Sequence, residues 1–211
     1  MIKAILFDVD GVLLDSFDSN LQFTRKFFIA TGYKPPTRKD YVPLFYLPLR
    51  DVIVKITGLK NKKEVDKLLN FAKSNDFRVK DPLMTEDVVN VVRSLGKHYK
   101  LGIVTSRVRV YLFETPMDSL EPYFETSVAY EDTKKHKPNP EPLLLAATRL
   151  KTKPSEIIYI GDAQVDMLAA KAAGMKFILF SKKPMKVADV HVKYFSDIPS
   201  AISKIGNGVK S

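Results

Sequence analysis

The sequence predicts an α/β fold, a doubly wound parallel sheet with an all-helical segment inserted near its start. Three observations predict it. Short apolar runs, Ala4-Ile5-Leu6-Phe7, Leu101-Gly102-Ile103-Val104 and Ile157-Ile158-Tyr159-Ile160, each stop at polar residues. Runs of four or five apolar residues are too short for helices and read as strands buried on both faces of a sheet. Helical periodicities separate these runs, and strand–helix–strand connections imply parallel pairing with right-handed crossovers. Between Asp15 and Lys80, by contrast, the texture is helical throughout.

In chain order, the first strand leads into Asp8-Val9-Asp10-Gly11, a turn. Phe17, Leu21, Phe23, Phe27 and Phe28 recur at helical spacing, and Thr31-Gly32 ends that helix. Pro35-Pro36 and the stretch Pro43 to Pro48 break the path before a helix over Leu49 to Thr57, closed by Gly58, and another over Lys62 to Asn75. Having no strand to add to a sheet, residues 16–80 read as an insertion that packs over the carboxyl edge, a cap. Residues 1–15 and 81–211 then form the core. Its remaining elements are a helix from Thr85, its N-cap, to Gly96, the second strand, and an irregular helix around Val110 to Leu120. A short strand near Thr126 to Tyr130 and a helix over Pro140 to Leu150 follow. After the strand Ile157 to Ile160 come a helix Val165 to Ala173, strands Phe177 to Phe180 and Val190 to Tyr194, and a helix Ile198 to Ile205. Gly206 to Ser211 are expected to fray.

Composition narrows the function. With 45% hydrophobic and 27% charged residues, the 211-residue chain is a globular domain with a modest insertion. The lack of cysteine excludes disulfides and cysteine-ligated zinc. No stretch approaches the roughly 20 apolar residues of a membrane helix, and Met1-Ile2-Lys3 leads directly into the first strand. A cytoplasmic protein without a membrane partner is expected. The net charge of +10 invites a nucleic-acid reading, but the basic residues are dispersed, with short groupings only at Lys60 to Lys63, Lys134 to Lys137 and Lys182 to Lys186. No nucleic-acid partner is expected; a positive field draws small phosphorylated anions instead. Oligomeric state stays open.

The chemistry-bearing residues gather at strand ends. Asp8 and Asp10 follow the first strand, Thr105 and Ser106 the second, and Asp162 and Asp166 the fourth. Ligands of open α/β sheets bind at this carboxyl edge. Two carboxylates held together there call for a bound cation or a shared proton, although DVDG alone also fits a plain acidic turn. Lys137 sits in KKHKPNPEP, a loop stiffened by Pro138, Pro140 and Pro142. Carboxylate and carbonyl oxygens suit magnesium (Mg2+), and Asp8, Asp162 and the backbone carbonyl of Asp10 offer such a set. Phosphoryl transfer is the chemistry expected of these groups together.

DVDGV (Asp8 to Val12), VTS (Val104 to Ser106), KPNPEP (Lys137 to Pro142) and IGDAQVD (Ile160 to Asp166) resemble, in order and spacing, the four motifs of the haloacid dehalogenase-like (HAD) superfamily. The helical insertion is similar to its C1 cap. The resemblance implies a Rossmann-like core and a Mg2+-dependent phosphatase, similar to phosphoglycolate phosphatases, that hydrolyses a small phosphorylated metabolite through an aspartyl-phosphate. It implies that Asp8 is nucleophile and metal ligand, and that Asp10 protonates the leaving oxygen and then activates water. Thr105 and Lys137 would bind the phosphoryl oxygens. Asp162 would hold the metal and Asp166 would orient Lys137 or a metal-bound water, with Asp8, Asp10, Asp162 and Asp166 as the metal set. Ser106 and Arg107 are expected to touch substrate. Arg50, in LPLRDVI, falls where the related β-phosphoglucomutases grip a second phosphate. A mutase is therefore an alternative, although Gly161-Asp162 replaces the usual mutase Glu-Asp and favours hydrolysis. From another class, a phospho-accepting receiver-like switch also combines aspartates, Thr and Lys with Mg2+. His98, His136 and His191 lack metal-ligand spacing and read as packing residues.

Overall fold

Every residue of Ala4–Phe7 (β1) is apolar and buried, which places this strand inside a sheet. The other strands are Lys100–Val104 (β2), Thr126–Val128 (β3), Ile157–Gly161 (β4), Lys176–Phe180 (β5) and Val190–Val192 (β6). They form a six-stranded sheet in the order β3-β2-β1-β4-β5-β6, with each pair parallel. The chain winds outward from β1 to β3, returns to β4 and winds outward the other way. Its switch point lies beside β1. Phe7 is level with Ile103 and Ile160. The three central strands therefore end together, and the residues after them share one edge. The structure is a computed structural model in which residues 1–78, 81–182, 184–185 and 188–206 are described.

The helices are Phe17–Ala30 (α1), Arg38–Tyr41 (α2), Leu49–Thr57 (α3), Lys62–Ser74 (α4), Glu86–Leu95 (α5), Glu141–Arg149 (α6), Gln164–Ala173 (α7) and Ile198–Gly206 (α8). Alternation along β1 divides the core. Ile5 and Phe7 pack with residues of α5 and α8 on one face, while Ala4 and Leu6 pack with residues of α6 and α7 on the other. Gly102 is required in β2 because a Cβ there would lie 2.7 Å from Leu6 Cδ2 and 2.8 Å from Thr126 Cγ2.

The chain divides into two compact units, Met1–Asp15 with Leu83–Ser211, and Ser16–Pro82. Asp15 and Leu83 exchange backbone hydrogen bonds of 2.8 and 3.1 Å, so the chain leaves and rejoins the first unit at one point. The second unit holds α1 to α4 around its own aromatic core, in which Phe27 meets Phe28 and Phe77 edge-on at 5.0 and 5.8 Å.

Several elements differ from expectation. Thr85 precedes α5 but its side chain makes no capping hydrogen bond; Glu86 and Asp87 face the helix dipole instead. The expected helix around Val110 to Leu120 is two 3₁₀ pieces, Arg109–Tyr111 and Met117–Tyr123. Pro116 and Pro122 deprive that stretch of N–H donors, which disfavours a longer α-helix. β3 stops at Val128 because the Ala129 N–H donates to Asp132 Oδ2 at 2.8 Å rather than to a neighbouring strand. β6 stops at Val192, two residues short of the expected Tyr194. The stretch after Pro36 holds the short α2, closed by a capping box between Thr37 and Asp40. Residue 80, at the expected boundary of the insertion, Lys183 and Lys186 of the basic grouping, and residues 207–211 of the expected frayed end lie outside the described residues. No described helix is long and apolar enough to cross a membrane.

Candidate active site

The site begins where β1 ends. The Asp8 N–H donates to the Ile160 carbonyl at 2.9 Å, continuing the sheet ladder by one bond. Its carboxylate turns inward, where Oδ1 accepts from the Val9 N–H at 2.8 Å. Oδ2 lies 2.9 Å from Lys137 Nζ, and the same nitrogen reaches Asp166 Oδ1 at 2.6 Å and the Tyr159 hydroxyl at 3.0 Å. An ammonium has three donors and no acceptor, so all three are engaged. Asp166 is fully buried in the first turn of α7, where its Oδ2 accepts from the Ala163 N–H at 3.1 Å. Burial and Asp166 push the Tyr159 hydroxyl well above its ordinary pKa. Burial alone would lower Lys137, but Asp166 and Asp8 outweigh it and hold the lysine protonated.

Two glycines shape the acidic cluster. Gly11 has φ +80°, and a Cβ there would lie 2.1 Å from Asp162 Oδ2. At Gly161 a Cβ would meet the Asp166 Cβ at 2.5 Å. With that space kept clear, carboxylate oxygens of Asp8, Asp162 and Asp166 lie within 4.8 Å of one another. Burial, then the neighbouring Asp8 and Asp166, raise Asp162 to a pKa of about 9. Burial raises Asp8 to about 7 against the pull of Lys137. Asp162 Oδ1 is buried without a hydrogen-bond partner among the described residues. A hard, oxygen-rich donor set with one unsatisfied buried oxygen fits a Mg2+ ion, and Asp8 and Asp162 are the residues that would hold it. Asp166 is less suited to ligation, since both of its oxygens already accept protein donors.

Asp10 stands apart from this cluster. Arg107 forks its carboxylate, with Nε 2.9 Å from Oδ2 and Nη2 2.7 Å from Oδ1. The carboxylate of Asp10, expected in the metal set, is thus engaged by Arg107 through both oxygens. Arg107, expected to touch substrate, is placed on Asp10, whose charge outweighs the burial that would lower the guanidinium. Buried Thr105 continues the ladder from β2, donating its N–H to Val128 O at 3.0 Å, and its Oγ1 accepts from the Arg107 N–H at 3.2 Å. Ser106 is half-buried between them. Arg50, which falls where the related β-phosphoglucomutases grip a second phosphate, lies in α3 and pairs with Asp66 of α4. His136 stacks on Tyr130 at 4.1 Å, and His191 Nε2 lies 2.6 Å from Ser181 O, both packing roles. Sequence reasoning missed Tyr159, which it counted only as an apolar strand residue. The available signal was a lone hydroxyl in an otherwise aliphatic run, three residues before Asp162.

Residues 5–180 match the family described as haloacid dehalogenase-like hydrolase. The pyrophosphatase PpaX of Bacillus velezensis is 31% identical over 184 residues, covering 83% of this chain and 81% of that protein. A HAD-superfamily hydrolase of subfamily IA from Geobacter sulfurreducens superposes with a TM-score of 0.69 at 26% identity, covering 95% and 96% of the two chains. A β-phosphoglucomutase from Clostridium difficile shares the fold, with a TM-score of 0.80 at 20% identity and 99% coverage of both chains.

Proposed function

Because the chain belongs to the haloacid dehalogenase-like hydrolase family, we propose that it is a Mg2+-dependent phosphatase that hydrolyses a small phosphorylated compound through an aspartyl-phosphate on Asp8. The observation that carries this reading is the different treatment of two carboxylates two residues apart. Asp8 is buried against a lysine and two further aspartates, whereas Asp10 is held by both oxygens on Arg107. Such a pair divides the labour of nucleophile and proton carrier.

Asp8 attacks phosphorus as the bond to the leaving oxygen breaks, and that oxygen takes a proton from Asp10, which acts as the acid in its protonated form, with the carboxyl turned off the Arg107 fork. Asp10 then draws a proton from the water that cleaves the acyl phosphate and releases inorganic phosphate. Lys137 cancels charge on the transferring group, Thr105 donates its hydroxyl to it, and Asp166 keeps Lys137 in place. Mg2+, when bound, supplies the positive charge that lets a phosphate dianion approach a carboxylate. Residues 16–80 serve as the cap that selects substrate, and the protein works in the cytoplasm. Phosphoglycolate, a sugar phosphate, a nucleoside monophosphate or pyrophosphate all fit the core chemistry; the PpaX relative favours the anhydride.

The test is a panel of phosphorylated metabolites assayed with MgCl2. Wild-type protein turns over at least one of them many times, and Asp8→Asn loses at least about 10³-fold in kcat while its circular dichroism is unchanged. Near-wild-type rates in Asp8→Asn overturn the nucleophilic role.

A further inference from the structure

We propose that the Tyr159 hydroxyl is a positioning group for this reaction: it fixes the Lys137 ammonium between Asp8 and Asp166. The inference rests on the reading of Asp8 as nucleophile. A lysine ammonium is a compact charge on a flexible stem, and contacts to two carboxylates alone leave it free to swing about the line joining them. The third contact removes that freedom. Here the Tyr159 hydroxyl provides it at 3.0 Å.

The hydroxyl is itself well anchored. It lies 3.0 Å from Asp166 Oδ1 and 3.2 Å from the Val104 carbonyl, the last residue of β2 before Thr105. Having accepted from Lys137, it has one proton for these two acceptors. A single oxygen thus joins the middle of β4 to the end of β2, the start of α7 and the Lys137 loop. The ring sits in the face of the sheet that packs on α6 and α7 and is fully buried, with Phe177 at 6.2 Å. Phenylalanine would fill that volume without placing a hydroxyl in an apolar interior, which is costly unless the group is bonded. The hydroxyl has three partners, and two of them are groups of the proposed reaction.

Tyr159→Phe removes one oxygen and keeps the ring. Expected is a fall in kcat of about 10–100-fold, typical of groups that orient a reacting side chain, with KM changed less than about threefold, because charge on Lys137 matters most in the transition state. A second readout does not depend on turnover. In wild-type protein with MgCl2, the Lys137 ammonium gives a slowly exchanging nitrogen–proton correlation, assigned by its loss in Lys137→Met and linked by an Overhauser contact to the Tyr159 ring. In Tyr159→Phe that signal broadens or disappears. An unaltered signal with unaltered kcat in Tyr159→Phe overturns the inference, as does a wild type with neither the slow signal nor the ring contact, whether or not the variant folds. If wild-type protein hydrolyses none of the phosphorylated compounds, the functional reading fails, and the ammonium signal decides the placement of Tyr159 by itself.

Discussion

Asp162 carries a carboxylate oxygen that no donor among the described residues reaches, and the consequence is a stability that depends on pH and metal together. Burial raises Asp162 to about 9 and Asp8 to about 7, from an ordinary value of 3.8. Both groups keep a proton in the folded chain over a range where the unfolded chain has lost it. Folding is therefore favoured at low pH, and the stability falls as pH rises through the folded values. Lys137 does not cancel the trend: its raised pKa gives a contribution already complete below 10.5. The paired carboxylates Asp132 and Glu156 are lowered, so they lose stability only in stronger acid. In EDTA the melting temperature should drop steadily from about pH 5 to about pH 9, and MgCl2 should flatten the profile by favouring the ionised carboxylates. A level profile in EDTA would remove the case for protonated aspartates. Asp8 and Asp162 were legible in the sequence because a polar residue that ends an apolar strand has a known place at the sheet edge, and Lys137 because it stands in a loop stiffened by Pro138, Pro140 and Pro142. The grip of Arg107 on Asp10 was not, since the two are 97 residues apart and strand register alone brings them together.

Helix ends show the same divide at the scale of elements. Asn61 accepts from the Lys63 N–H at 2.9 Å and caps α4, while Thr85 occupies the N-cap of α5 without a side-chain bond. Asn61→Ala should cost about 1 kcal/mol and Thr85→Ala only a few tenths in urea unfolding; equal losses would mean that Thr85 does cap its helix in solution. The residue type alone predicted a cap at Thr85 because threonine is favoured there, yet the bond depends on a rotamer that sequence does not reveal. The opposite happened at α2, where Thr37 and Asp40 carry a capping-box spacing in plain view but the neighbouring prolines masked it. The apolar strands and the periodic helices α1 and α3 were legible because their burial repeats along the chain. The 3₁₀ pieces between Arg109 and Tyr123 have no such repeat and depend on local proline geometry.

For the whole molecule, charge poses a problem that the site cannot solve alone. Lys137 pairs with Asp8 and Asp166, and Arg107 with Asp10, so both cations at the cluster are already paired with aspartates. A phosphorylated anion gains nothing from this cluster at long range. The chain as a whole, however, has 34 Lys and Arg against 24 Asp and Glu, and a surplus of that sign attracts anions from a distance. Attraction from dispersed surface charge is screened within a Debye length of about 10 Å at 0.1 M salt, whereas buried contacts such as Lys137 with Asp8 are screened little. The two contributions therefore separate in an ionic-strength series at saturating Mg2+. Raising NaCl from about 20 mM to about 500 mM should lower kcat/KM for an anionic substrate several-fold and leave kcat within about twofold. A kcat/KM that stays level would assign substrate capture to local contacts and leave the basic surplus without a part in it. A parallel fall in kcat would show that salt reaches the buried lysine itself.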